Sequence, residues 1–325
     1  MQNRREENQQ KVQAKNIFII QAQSDGQRVD NFLLKTLKDI SKSNIYKLLR
    51  KGQIRANGKR IKPLYRLIAG DKIRIPPFLI ADEGGELYIS EALLQQVKTA
   101  ILFENNNFVV VNKPSGLAVH SGTGVRVGLI EICKRLFKDD DIQLAHRLDR
   151  ETSGCVVLAK NRLALNDFNS QSKSNSIIKK YSALVKGVIE DDFIVELSLD
   201  TSNRMNGERT VTVSESGKWA KTKFVVLQKF STTVHATLLQ CQLFSGRTHQ
   251  IRVHTSATNN PIAGDQRYGE AKFNKKLKAM GLKRLFLHAS SIEFLDMQRE
   301  IKVKAVLPLK LQSVLVNLNP NEMRN

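Results

Sequence analysis

The 325-residue chain carries 52 Lys and Arg against 31 Asp and Glu, a formal net charge of +21, with 41% hydrophobic residues. That apolar fraction suits a globular core, and so large a positive excess implies a polyanionic partner. Cys133, Cys155 and Cys241 are scattered and form no CxxC pair, which excludes a disulfide framework and a thiolate zinc site; no apolar run reaches the roughly 18 residues of a membrane span.

In chain order, residues 1–20 read as a disordered polar tail without a secretion signal, so the expected location is cytoplasmic. Residues 21–80 read as a small domain of their own. Val29, Phe32, Leu33, Leu37 and Ile40 recur at helical spacing. Ser43 is the expected N-cap of a second helix with Ile45, Leu48 and Leu49 on its apolar face and Gly52 just past its end. Asn57-Gly58 between short strand-like runs is the signal for a two-residue hairpin turn. Arg50, Lys51, Arg55, Lys59, Arg60 and Lys62 fall on the helix end and the hairpin, where long cationic side chains can follow phosphates from a rigid support. Residues 1–80 hold 18 basic and 6 acidic residues, a net +12, more than half the excess of the whole chain.

Pro76-Pro77 stops the last strand of this domain, and residues 81–98 read as a linker, with four acids and no base between 81 and 95. From residue 99 to 325 the chain is β-rich. "FVVVNKP", "GCVVLAKN", "KKYSALVKG", "KFVVLQKF", "TTVHATLLQCQL" and "EIKVKAVLP" are the expected strands; "VGLIEICKRLF", "ALNDFNSQSKSN" and "LKLQSVLVNL" are the expected helices. Without regular βαβ alternation, the expected fold is α+β: a small α/β RNA-binding domain, then a mixed, largely antiparallel β-rich domain with flanking helices.

Three polar islands border apolar runs: "NKPSGLAVHSGTG", "HRLDRETSG" and "SGRTHQIRVH". At strand ends such islands are held by a rigid framework. Asp149 between Arg147 and Arg150 is a surface ion pair on the plainest reading, but Thr152, Ser153 and Gly154 form a tight turn able to aim its carboxylate, which would then serve as nucleophile or base. Arg150 reads as a surface cation. His120, His146, His249, His254 and His288 lack metal-ligand spacing, so no metal is expected. Ser115 sits in a Lys-Pro-Ser-Gly turn and GxSxG is absent, which argues against a serine hydrolase. With no phosphate loop and no GxGxxG, no nucleotide cofactor is expected either. A cofactor-free enzyme or a passive RNA binder remains, and Asp149 separates them, because an acid in a positive cleft would repel phosphate.

"HRLDRETSG" resembles the signature of the RluA family of pseudouridine synthases, and "NKPSGLAVHSG", "KKYSALV", "SGRTHQIRVH", "PIAGDQRYG" and "RLFLHA" resemble that family's other blocks in the family's order, over about residues 100–310. Residues 26–75 resemble the S-four RNA-binding domain, and the whole is similar to the RluC branch. The resemblance implies an isomerase that converts specific uridines of 23S large-subunit rRNA, free or in a precursor particle, to pseudouridine by base flipping and without a cofactor. It makes residues 99–325 the catalytic domain and Asp149 the catalytic residue. It implies that Arg252 orients Asp149 through a salt bridge, that Tyr181 stacks on the uracil, and that Arg147 fills the gap left by the flipped base. His146, Lys113, His120, Arg247 and His249, from the same blocks, are expected to bind substrate. Cys155 and Asn260 depart from the family pattern without removing a catalytic group.

Overall fold

In the N-terminal unit, Met1–Tyr88, the signals of turn and helix end act as anticipated. Strands β1 (Ile17–Ile19), β2 (Arg55–Ala56), β3 (Lys59–Arg60) and β4 (Lys72–Arg74) form an antiparallel sheet in the order β1-β4-β2-β3. Helices α1 (Val29–Thr36) and α2 (Lys42–Arg50) share a core with it that includes Val29, Leu33, Ile45, Leu49, Ile54 and Ile73. Asn57 and Gly58 both have positive φ, 50° and 76°, as a twist-matched two-residue hairpin requires. Gly52, at φ 64°, closes α2: its N–H bonds to the Leu49 carbonyl and that of Gln53 to the Leu48 carbonyl.

The computed structural model describes residues 16–37, 40, 42–76, 89–121, 127–201, 204–205 and 208–319. Three expectations are corrected within it. Ser43 lies inside α2, which already starts at Lys42. The tail expected over 1–20 contains β1, which pairs with β4 and leads into buried Ile20; residues 1–15 lie outside the described residues. Of the linker expected over 81–98, residues 81–88 lie outside them as well, and helix α3 (Glu91–Thr99) occupies the rest: Ser90 Oγ accepts from Leu93 N–H as N-cap, and Leu94 and Val97 are buried.

The C-terminal unit, Ile89–Asn325, continues with β5 (Ile101–Glu104), β6 (Phe108–Lys113), α4 (Leu129–Phe137), β7 (Gln143–Leu144), β8 (Ser153–Ala159), α5 (Arg162–Lys173), β9 (Ile178–Lys186) and β10 (Phe193–Asp200). A small hairpin of β11 (Arg204–Met205) and β12 (Glu208–Arg209) follows, then β13 (Thr212–Val213), β14 (Lys218–Phe230), β15 (Ala236–Leu243), α6 (Gln250–Ala257), α7 (Ala271–Ala279), β16 (Leu287–Asp296), β17 (Arg299–Lys304) and α8 (Leu309–Leu318). Eleven strands make one sheet, with the path β13-β10-β14-β15-β9-β16-β8-β6-β5, β17 on β16 and β7 on β8. Every pair in it is antiparallel except β16 with β8. The fold is α+β.

Strand β8 is buried at every position, because both sheet faces are covered. Val156 and Leu158 join the larger core with Leu129 and Ile132 of α4, while Cys155 and Val157 join the second with Phe168 of α5. Cys155 therefore packs on the α5 side, and burial pushes its thiol up to about 12. Gly154 is dictated by the parallel pairing. It lies opposite Ala289 at φ 112°, and a Cβ there would come within 2.2 Å of the Ala289 carbonyl oxygen. Among the described residues no helix is long and apolar enough to cross a membrane.

Candidate active site

Asp149 sits in the bend between β7 and β8, and the loop around it is fastened from behind. Its carbonyl accepts from Thr152 N–H at 3.1 Å. Lys113, at the end of β6, is fully buried and donates to the carbonyls of Pro114, Leu117 and Arg150 at 3.1, 2.7 and 3.1 Å. Burial pulls its ammonium down to about 7, against the opposing charge of Asp149. The expectation that Lys113 binds substrate is thereby corrected: its Nζ is surrounded by three backbone carbonyls and ties the 113–117 turn to the Asp149 loop. Arg150 is likewise more than a surface cation. Its Nε donates to the Gly116 carbonyl at 2.9 Å and its own carbonyl accepts from Gly116 N–H. The Ser115 hydroxyl donates to the Glu151 carbonyl at 2.7 Å.

The carboxylate of Asp149 borders two hollows. One, of about 550 Å³, is lined among others by Arg147, Tyr181, Trp219, Arg247, His249 and Arg252, a volume within the roughly 300–1,000 Å³ of small-molecule sites. The other, about 1290 Å³ and more open, shares Arg147, Asp149, His249 and Arg252 and adds His120, Arg267, Lys283 and Arg284. Arg147 is exposed at the mouth of both, without an ion-pair partner among the described residues.

Helix α6 and its N-cap, His249, carry the groups that face the acid. Arg252 Nη1 is 3.8 Å from Asp149 Oδ2 and His249 Nε2 is 3.8 Å from the same oxygen. Arg252 is itself gripped more tightly by Asp265: Nε donates to Oδ2 at 2.7 Å and Nη2 to Oδ1 at 2.9 Å. The Asp265 side chain is fully buried. Burial works against its charge, but the Arg252 fork and the N–H groups of Arg267 and Tyr268 hold the carboxyl below its ordinary value. The Asp149 pair with Arg252 is thus the looser arm of a fixed guanidinium. Tyr268 completes the frame, with the guanidinium 5.0 Å over its ring. Its hydroxyl accepts from Val211 N–H at 3.0 Å and lies 2.9 Å from His249 Nδ1. Burial lowers the imidazole's affinity for a proton, opposed by Asp149. Tyr268 holds the ring through Nδ1, which leaves Nε2 as the edge that faces Asp149.

Tyr181, on β9 opposite Cys241 of β15, is 7% exposed in the cavity wall. Burial, with the Asp149 charge adding, pushes its phenol above the ordinary value and keeps it protonated. His146 lines the same cavity but is a structural group: its Nε2 accepts from Val157 N–H at 3.1 Å, its ring stacks on Phe168, and burial lowers it to about 3. Arg247 is exposed and donates Nε–H to the Trp219 carbonyl at 3.1 Å; His120 is exposed in the open hollow. His254 and His288 are buried and drawn down to about 4 by burial, bonded to the hydroxyls of Thr222 and Ser153. Among the described residues no group of His, Cys, Asp or Glu could hold a metal ion.

In the N-terminal unit Arg50, Lys51, Lys59, Arg60 and Lys62 are exposed, as a phosphate-tracking surface needs. Arg55 is partly committed, with Nε donating to the Gly52 carbonyl at 3.0 Å.

Comparison with known proteins accords with this arrangement. A family model described as RNA pseudouridylate synthase matches residues 107–257, and an S4 domain model matches residues 27–73. A protein of Haemophilus influenzae named ribosomal large subunit pseudouridine synthase C is 42% identical over 282 residues, covering 86% of this chain and 86% of that one. The Escherichia coli K12 protein of the same name is 44% identical over 284 residues, covering 86% of this chain and 88% of that one. The chain belongs to the RNA pseudouridylate synthase family. Among solved structures the synthase is similar to human RNA pseudouridylate synthase domain containing 4, with a TM-score of 0.56 and 26% identity over 70% of this chain and 95% of the other. Domain containing 1 of the same human series gives a TM-score of 0.55 and 25% identity, covering 64% of this chain and 82% of that one. The synthase is an isomerase that turns uridine in RNA into pseudouridine.

Proposed function

We propose that the chain isomerises particular uridines of large-subunit ribosomal RNA, free or in a precursor particle, with Asp149 as the reacting group. The bond from ribose C1′ to uracil N1 breaks, a bond from C1′ to C5 forms, the C5 hydrogen leaves and N1 gains one, so no co-reactant is consumed. The observation that supports this most is the carboxylate of Asp149 at the junction of the two hollows, facing Arg252 and His249 at 3.8 Å, with Tyr181 in the wall. A carboxylate so placed can add to the ring, attack C1′ or remove a proton, and all three routes start from the same oxygen. Arg147 takes the place of the flipped base in the stack, offsetting part of the few kcal/mol that flipping costs. Residues of the N-terminal unit, Arg50, Lys51, Lys59, Arg60 and Lys62 foremost, hold phosphates and so contribute salt-dependent affinity without reading sequence. The relatives named above are, by their names, synthases of the ribosomal large subunit, which directs the test. Carbodiimide mapping of large-subunit rRNA from cells lacking this protein should show specific pseudouridines gone; an unchanged map would overturn the reading.

Tyr181 stacks on the uracil and its protonated phenol handles a ring proton. Tyr181→Phe keeps the aromatic face, so RNA affinity should stay within about twofold while turnover falls by roughly 10²-fold or more, the scale of a lost acid–base group. Single-turnover kinetics on a mapped rRNA fragment measure it, and normal turnover would leave Tyr181 only the stacking role.

A further inference from the structure

We propose that Trp219, at the rim of the Asp149 cavity, is a stacking platform for the base of a nucleotide next to the target uridine; this rests on the function proposed above. Trp219 is the only tryptophan in the chain and is 44% exposed. A large aromatic in a strand ordinarily buries its ring. Here the alternation of β14 prevents that: Ala220, Thr222 and Phe224 point into the core, which puts Trp219, Lys221 and Lys223 on the opposite face.

The ring is held still although it is exposed. Its Nε1–H donates to Glu196 Oε1 at 2.6 Å, and Lys221 Nζ lies 3.1 Å from Glu196 Oε2, so one carboxylate of β10 clamps the indole and the neighbouring ammonium together. The Trp219 carbonyl accepts from Arg247 Nε–H, which ties the platform to the loop that leads into His249 and the Asp149 site. A fixed aromatic loses little conformational entropy when a base settles on it. Trp219 and Asp149 line the same cavity, which Arg147, Lys173 and Lys179 make cationic, so a nucleic acid strand meets both.

The flipped uracil belongs deeper, against Tyr181. The occupant of the rim is a neighbouring base, on the side of the flipped nucleotide that Arg147 does not cover. Every base has a π-face, so this subsite adds affinity and tolerates sequence.

Trp219 is its own reporter. The full-length chain is titrated with a synthetic large-subunit rRNA fragment that it modifies, and with the same fragment made abasic at one or the other position flanking the target. Expected is a saturating change in indole emission with the midpoint seen by RNA anisotropy, most of it lost with one of the two abasic fragments. Trp219→Ala should raise KM by about 5- to 150-fold, the equivalent of 1–3 kcal/mol of base stacking, with the loss in KM far more than in kcat. Trp219→Phe should recover most of it, and the abasic site that silences the emission should no longer weaken binding by the alanine variant. Unchanged emission at saturating RNA, or an alanine variant that still distinguishes the abasic fragments fully, overturns the platform and leaves the face to another partner, such as a protein. If the unaltered chain fails to isomerise any rRNA uridine, the functional reading falls instead; turnover with a silent indole removes only the stacking subsite.

Discussion

Asp149→Asn should abolish tritium release from rRNA labelled at uridine carbon 5, to below about one part in 10⁴ of the unaltered rate, the scale on which loss of a reacting group is felt, while RNA affinity stays within about twofold. Asparagine keeps the size of the side chain and removes the charge that faces Arg252 and His249. The side chain is 21% exposed and lies outside the packed core, and its loop is fastened by Lys113, Arg150 and Ser115 rather than by the carboxylate. Circular dichroism should therefore show an intact fold. Turnover near the normal rate would remove Asp149 from the chemistry and return the chain to the class of passive RNA binders.

The second large effect is expected at Asp265, whose fully buried side chain acts through Arg252. Asp265→Ala leaves a buried guanidinium without the carboxylate that grips it and takes away the Oδ1 acceptor shared by the N–H groups of Arg267 and Tyr268. Breaking a buried ion pair from one side costs about 3–5 kcal/mol, which in a unit of this size lowers Tm by roughly 6–20 °C. Turnover should fall as well, because the arm of Arg252 that faces Asp149 is no longer fixed. Thermal melts of Asp265→Ala, Arg252→Ala and the double variant decide it: the double should cost much less than the sum of the singles. Additive losses, or a shift below about 2 °C for Asp265→Ala, would show that the pair carries no such load.

Asp265 shows where the sequence stops being readable. "GDQRYG" has no periodicity, and the pairing with Arg252 is created by the turn after α6, which brings residues 13 apart within 2.7 Å. The resemblance pointed to an Arg252–Asp149 bridge, and the tighter carboxylate partner is invisible until the chain is folded. Lys113 failed for the opposite reason. A lysine in a polar island looks exposed, and only the backbone carbonyls around its tip reveal it as a buried strut. Local signals fared better: Asn57-Gly58, Gly52 and the apolar faces of α4, α5 and α8 are set by residues within a few positions of one another. β16 was not among the expected strands, because "LHASSIEFLD" has both faces covered at its start and shows no alternation there. Trp219 carries no local signal, because the apolar run that marks β14 starts at Lys223, beyond the indole.

The place of β16 in the sheet sets an order on the making of the molecule. Residues 287–296 fill the slot between β9 and β8, strands laid down more than 100 residues earlier, and among the described residues β8 has no other bridge to β9 along the sheet. Contacts so distant in the chain form slowly and late. Asp149 arrives with β8, Tyr181 with β9, and Arg252 after β15, yet the two halves that carry them stay unzipped until residues 287–296 have been synthesised. A chain cut short before Leu287 would own every reacting group and still have no frame to bring them together, and its bare strand edges would invite aggregation.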